Sequence, residues 1–243
     1  MTKRTSSSKN KLILCIETAT PVCSVALAEN GKVLAYKEDS GSNSHSSELT
    51  GFIEEVFTRT GRAISELDAI AVSAGPGSYT GLRIGVSSAK GLAYALDIPL
   101  IGIGTLNSMA CGAKEEAGPG DECKYFCPMI DARRMEVYCA VFDNSLQMVR
   151  ETEAEIINGQ SFSGFLNEGK VLFFGNGAEK CEPLLSFHPN AIFRGGMGAS
   201  ARHMCSRAWE KFEKKSFEDV AAFEPSYLKD FIAGKPKVKG LYE

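Results

Sequence analysis

Three histidines, two acidic residues at the ends of apolar runs and two glycine-rich turns are the places where this 243-residue chain could do chemistry. A metal-dependent transferase needs imidazoles that reach one ion, most simply two histidines four apart on a helix. His45, His188 and His203 have no such spacing, so no metal site is expected. Cys123 and Cys127 form a C-x3-C pair with no second pair beside it, and read as apolar or surface thiols. Ser78 lies among glycines without a G-x-S-x-G frame, and no Ser, His, Asp arrangement activates a nucleophile. Ser78 reads as a helix cap, and no catalytic residue is assigned.

Phosphate chemistry has more support. A glycine-rich strand-to-helix turn presents backbone N–H groups and the positive end of a helix dipole, which suit a phosphate or an adenosine. Two stretches qualify, Gly75 to Gly81 and Gly175 to Gly177. The first lacks both G-K-[ST] and GxGxxG, so a structural turn is the preferred reading there. Gly175 and Gly177, with Asp131, are the candidate nucleotide-binding residues. Glu17 and Asp131 could each bridge Mg²⁺ through water. A hydrogen-bonded carboxylate is the alternative, preferred at Glu17 and level with the metal reading at Asp131. Arg83, Lys90, Arg133 and Arg134 could meet phosphates, but four cations on an acidic chain read first as solvated faces.

The elements that must position these residues are legible. Leu67 to Leu96 is the organising stretch: the unbroken apolar run Ala69 to Val72 reads as a buried parallel strand, Gly75-Pro76-Gly77 turns the backbone, and a helix comes next. That helix carries Gly81, Gly85, Ser87, Ser88, Ala89 and Gly91, so another backbone is expected to approach it closely. Before it come the strands Leu12 to Glu17, Val22 to Glu29 and Lys32 to Glu38, the last two joined by Asn30-Gly31 as a hairpin. A helix with a bulky apolar face then carries Leu49, Phe52, Ile53, Val56 and Phe57. The strand Pro99 to Gly104 and the helix Thr105 to Glu116 complete the half.

After Gly118-Pro119-Gly120 the chain begins again. Pro128 to Ala132 can be laid without a gap on Leu14 to Thr18, and Ala140 to Asn144 on Ala26 to Asn30, with an acidic residue closing each first strand. Further strands at 170 to 174 and 191 to 193 and helices at 178 to 185 and 199 to 214 complete the second half. Two α/β lobes of this type describe a duplicated ribonuclease-H-like architecture, with ligands beyond the carboxyl ends of the strands. The expected divisions are a disordered leader 1 to 10, an N-terminal lobe 11 to 117, a smaller lobe 118 to 223 and a tail 224 to 243. Glu224 to Phe231 is expected to dock on the body or on a partner, and Lys235 to Glu243 to stay mobile.

A net charge of -3 does not suit an autonomous nucleic-acid binder. The eight cysteines, several inside strand patterns, read as reduced thiols of a cytoplasmic protein. No apolar run has transmembrane length and no signal-peptide h-region succeeds the basic start, so no membrane partner is expected.

ILCIETAT with CSVAL, SHSSEL, AGPGSYTGLRIGVSSAKGLA, DARRMEVY and PSYLK together resemble the bacterial TsaB (YeaZ) family, over nearly the whole chain and most specifically at 75 to 93. The resemblance implies the actin, hexokinase and Hsp70 superfamily fold and paralogy to TsaD, the threonylcarbamoyl transferase. It implies a non-catalytic scaffold or activator that works with a TsaD-like transferase and a TsaE-like ATPase to form N6-threonylcarbamoyladenosine at position 37 of tRNAs reading ANN codons. Transfer RNA would be met through the complex, ATP and Mg²⁺ would belong to the complex, and this chain would require no cofactor. Glu17 stands where aspartate is usual in the family, Thr50-Gly51 where longer apolar residues or proline are expected, and Lys229 where arginine is common. A groove and ridge made by the two helices of the first lobe is expected to hold the partner, or a second copy in a homodimer, through Leu49, Phe52, Ile53, Val56, Leu82, Gly85, Val86 and Ala89. The competing expectation is an autonomous ATP-dependent transferase or glycoprotease-like peptidase using the inter-lobe cleft.

Overall fold

The computed structural model describes residues 10–40, 45–117 and 122–229. The leader apart from Asn10, and the tail beyond Lys229, lie outside the described residues.

Two five-stranded sheets carry the chain, and their topologies are the same. In the first, β1 (Leu12–Glu17) is central. It pairs antiparallel with β2 (Cys23–Glu29) and parallel with β4 (Ala69–Gly75). The edges are β3 (Lys32–Asp39) and β5 (Leu100–Gly104), giving the order β3-β2-β1-β4-β5. In the second, β6 (Tyr125–Asp131) pairs antiparallel with β7 (Glu136–Asp143) and parallel with β9 (Val171–Phe174). Its edges are β8 (Met148–Ile156) and β10 (Ala191–Arg194), and its order β10-β9-β6-β7-β8 is the first read from the other side. Both sheets mix one hairpin meander with parallel neighbours, which is a duplicated ribonuclease-H-like α/β fold.

The repeat is not gapless. Glu17 pairs with Ser24, whereas Asp131 pairs with Val137, so the β6–β7 turn is one residue shorter than the β1–β2 turn. Arg133 and Arg134 make the tighter turn possible by adopting φ of 72° and 51°, and the Arg133 amide donates to Asp131 Oδ1 at 3.0 Å.

Each sheet is covered on both faces, as parallel strands require. On the first, α1 (His45–Thr60) and α2 (Tyr79–Leu96) cover one face through Leu49, Phe52, Val56, Val86, Ala89 and Ala93. The other face is covered from far along the chain, by the 3-10 turn Ala201–Met204 and α6 (Cys205–Glu213), whose Ala201, Met204, Cys205 and Ala208 pack on Ile13, Cys15, Ala71 and Ile101. On the second sheet, α4 (Ser163–Glu168) and α5 (Glu182–Leu185) cover one face. The opposite face is covered by α3 (Thr105–Glu116) through Leu106, Met109, Ala110 and Ala113 against Phe126, Phe142 and Phe174. All strands of the first sheet precede residue 118 and all of the second come after it, but the helices cross that boundary. Gly104 leads straight from β5 into α3, so the helix emerges toward the second lobe and its apolar stripe packs there.

Candidate functional site

The carboxyl ends of the central strands face one another across a cleft of about 740 Å³. From the first lobe it is lined by Thr20, Pro76, Ser78 and Tyr79, from the second by Asp131, Arg133, Tyr138 and Asn176, and from the tail by Ser226 to Lys229.

On the first side the turn after β4 is built for close packing. Gly75 has φ +102°, and a Cβ on Gly77 would sit 2.3 Å from the Ala19 carbonyl oxygen. The Ser78 amide donates to that same oxygen at 2.6 Å, and the Ser78 hydroxyl accepts from the Gly81 amide at 3.2 Å, so Ser78 is the N-cap of α2. The bareness of α2 is answered partly from within: Thr18 donates to the Gly81 carbonyl at 2.8 Å, and a Cβ on Gly85 would lie 2.2 Å from Thr18 Oγ1. A side chain of β1's own loop takes the space expected for a foreign backbone. A Cβ on Gly91, on the outer face, meets nothing within 4 Å.

The expected interface residues need the same correction. Leu49, Val56, Leu82, Val86 and Ala89 are at most 4% exposed and Phe52 is 9% exposed, Gly85 is buried, and Ile53 is half-buried against the same core. Their bulk is directed onto the first sheet, where it sets the spacing of α1 and α2. The outward faces are formed by Thr50, Gly51, Glu54 and Thr58 on α1 and by Thr80, Arg83, Ser87, Gly91 and Tyr94 on α2, Tyr94 being 84% exposed.

On the second side, a Cβ on Gly175 (φ +99°) would lie 2.3 Å from the Met129 carbonyl oxygen, and one on Gly177 would lie 2.8 Å from the Ile130 carbonyl carbon. The Gly177 amide donates to Met129 O at 3.0 Å and Asn176 Oδ1 accepts from the Asp131 amide at 3.1 Å. This turn braces the end of β6, with Asn176 reaching the cleft and the two glycines behind it. The chain continues into a short 3-10 turn Glu179–Cys181 and the four-residue α5, too short to supply a strong dipole.

The two strand-end carboxylates are in opposite states. Glu17 has no exposed surface, and its Oε1 accepts from the Ala19 amide at 2.7 Å. Burial pushes its carboxyl up to about 7, against the hydrogen bonds from Ala19, Ser73 and Thr18 that favour the charge. Asp131 is exposed and ion-paired with Lys180, whose ammonium also donates to the carbonyls of Arg134 and Glu136 at 2.7 Å each. Partial burial would raise the Asp131 pKa, but Lys180 and the Arg133 amide outweigh it and hold the carboxyl below its usual range.

This donor set does not fit a Mg²⁺-nucleotide. One carboxylate is enclosed, the other is neutralised by a lysine, and among the described residues no three His, Cys, Asp or Glu side chains converge as metal ligands. The histidines are dispersed: His188 Nδ1 accepts from the Asn190 amide at 3.2 Å, and His203 lies at the junction of the lobes. Its ring fills the notch left by Gly112 of α3, where a Cβ would sit 2.2 Å from Nδ1. Burial, and Arg202 beside it, keep His203 below its ordinary pKa despite Glu116. His45 opens α1. All eight cysteines are free and buried, with burial pushing Cys139 up to about 12 and Cys181 to about 11.

Sequence reasoning missed Lys180 and Glu136, whose partners lie 49 and 93 residues away, beyond any local spacing signal. Of the four cations, Lys90 is tied to the Ala221 and Phe223 carbonyls at 2.9 and 3.0 Å, while Arg83, Arg133 and Arg134 are exposed.

A family model described as TsaD, tRNA N6-adenosine threonylcarbamoyltransferase, matches residues 37–229. The tRNA threonylcarbamoyladenosine biosynthesis protein TsaB of Escherichia coli (strain K12) is 33% identical over 234 residues, covering 92% of this chain and 96% of that protein. The chain belongs to the TsaB family. Its kinship with the transferase is direct as well: the tRNA N6-adenosine threonylcarbamoyltransferase of Bacillus subtilis (strain 168) is 36% identical over 114 residues, 40% of this chain and 33% of that one. In fold, the solved YeaZ from Pseudomonas aeruginosa superposes with a TM-score of 0.76 at 24% identity, covering 90% of this chain and all of that one. Family membership therefore rests on sequence and the fold on both.

Proposed function

We propose that this chain serves tRNA threonylcarbamoyladenosine biosynthesis as a non-catalytic subunit, beside a TsaD-like transferase and with a TsaE-like ATPase acting on the assembly. The observation that carries the reading is the state of the cleft in a chain that shares a family model with the transferase: Glu17 is enclosed and Asp131 is held by Lys180. A transferase-like frame whose central carboxylates are committed internally is suited to presenting a surface. The modified nucleoside would be formed at position 37 of tRNAs reading ANN codons, with tRNA bound by the complex.

The surface is the α1–α2 pair. Leu49, Phe52, Ile53, Val56, Leu82, Gly85, Val86 and Ala89 fix its shape from beneath, and the contact itself is made by the outer face of α2. There the small residues Ser87 and Gly91 are exposed beside Tyr94, with open space over Gly91. The same face supports a homodimer when the chain is alone, because a transferase paralogue would present a related helix pair. Ser87→Arg and Tyr94→Glu alter exposed positions and leave the core untouched. Both should abolish co-purification with the transferase and self-association at unchanged melting temperature, and persistence of both associations would place the interface elsewhere.

The second reading is an autonomous enzyme, favoured by the size of the cleft and by Asp131, Arg133 and Asn176 on its wall. Incubation of the isolated chain with ATP and Mg²⁺, and separately with protein substrates, decides it. Turnover that disappears in Asp131→Ala would overturn the subunit reading.

A further inference from the structure

Beyond α6 the described residues form no further helix or strand, yet they take a defined path. The chain runs along β5, an edge of the first sheet, where the Glu218 amide donates to the Leu100 carbonyl at 2.9 Å, beside the Gly102 carbonyl that Lys211 of α6 reaches at 2.7 Å. A Cβ on Gly102 would meet both Glu218 Oε1 and the Phe223 ring at 3.0 Å. The segment then turns across the carboxyl end of β4, where the Ser226 amide donates to the Ala74 carbonyl at 2.7 Å. The Tyr227 ring lies 4.9 Å from that of Tyr79, and its hydroxyl accepts from Arg83 Nε at 3.3 Å. All of these anchors belong to the first lobe.

Two residues later the chain reaches the other lobe. Lys229 pairs with Glu136 at the start of β7, and its ammonium stands 6.0 Å from the centre of the Tyr138 ring. Glu136 is a firm landing point, since its carbonyl is one of the three groups gathered by Lys180. The segment thus spans the cleft that it also lines. Its hold is unequal, with backbone hydrogen bonds and an aromatic pair on one side and, on the other, an ion pair whose lysine is 38% exposed. Such pairs are weak and weaken further as salt screens them. The lobes meet again at the junction of α3 with the 3-10 turn 201–204, where His203 lies against Gly112 and Arg202 pairs with Glu116 at 2.7 Å.

We propose that residues 224–229 are a strap, permanently seated on the first lobe and releasably clasped to the second through Lys229 and Glu136, so that the width of the cleft is set by the C-terminal segment. The strap is independent of the subunit reading, because it concerns motion within one chain. Spin labels on Lys32→Cys of β3, away from the α1–α2 face, and Glu151→Cys, both exposed positions in different lobes, report the inter-lobe distance without interference from the buried native thiols. Glu136→Lys should lengthen and broaden the distance distribution by several ångström, as should high salt acting on the unaltered chain. Adding Lys229→Glu to Glu136→Lys should restore the original distribution. Lys229→Ala, which empties no core position, gives the same information should Glu136→Lys disturb β7. A distribution unmoved by Lys229→Ala and by salt would overturn the strap, whatever the chain's partners prove to be.

Discussion

The two lobes repeat one chain path and treat the carboxylate at its tip in opposite ways. In the first, a five-residue loop and the close approach of α2 shut Glu17 away from solvent. In the second, the shorter turn through Arg133 and Arg134 leaves Asp131 at the surface, where Lys180 neutralises it. A one-residue difference in turn length therefore accompanies a change from an enclosed acid to a paired one. The glycines do not differ in this way. Gly75 and Gly175 have φ of +102° and +99°, and a Cβ on Gly77 would collide with Ala19 just beyond β1 as one on Gly177 would collide with the end of β6. The scaffold of the duplication is held by backbone sterics while its electrostatics are set locally.

The largest test of this contrast is the pH dependence of stability. Folded Glu17 keeps its proton up to about 7, whereas the ordinary value is 4.5, so in that window the folded state binds more protons than the unfolded. Stability should then be greatest below the unfolded value and fall as pH rises through the folded one, by roughly 3 kcal/mol. Glu17→Gln should flatten the fall, read as urea midpoints at the two ends of the window. A wild-type midpoint that does not drop would mean that Glu17 ionises without penalty and that the lobes are alike. Next in size are Gly77→Ala and Gly177→Ala, each expected to lower stability by about 1 to 3 kcal/mol because backbone blocks the added methyl. Gly91→Ala, with nothing near, should instead stabilise α2 by up to about 1 kcal/mol. If only one of the turn variants is destabilised, the steric equivalence of the lobes fails. The smallest effect belongs to Asp131→Asn. Its depressed pKa contributes stability above the ordinary 3.8 that is lost as pH falls through the folded value. With the carboxylate exposed, the cost should stay below about 1 kcal/mol and vanish in acid.

The succession of strands and helices along the chain was readable because β1, β4 and β9 are unbroken apolar runs and glycine and proline punctuate the segments between elements. The internal use of α2's glycines was not, since nothing local tells whether a missing side chain admits a foreign backbone or Thr18. The apolar face of α1 and α2 posed the same ambiguity: periodicity marks a buried stripe, and Leu49 to Ala89 are buried against their own sheet. The pairing of Asp131 with Lys180 depends on a turn that folds back across 49 residues, which no spacing encodes. Docking of the tail was legible at Tyr227, whose aromatic ring in an aperiodic stretch needed a surface, although Phe231 falls outside the described residues.

The crossing of α6 onto the first sheet bears on how the chain is made. The face formed by Ile13, Cys15, Ala26, Ala28, Ala69, Ala71, Ile101 and Ile103 is closed by Ala201, Met204, Cys205 and Ala208, with Trp209 and Phe212 packed beside them. Strand β5 is finished at Gly104, so about a hundred further residues must be translated before its cover exists, roughly 5 to 20 seconds at about 5–20 residues per second. Any sheet that pairs in that interval has one greasy side open to solvent or to whatever chaperone is at hand. A ribosome that stalls before residue 201 leaves that side bare however well the strands have formed.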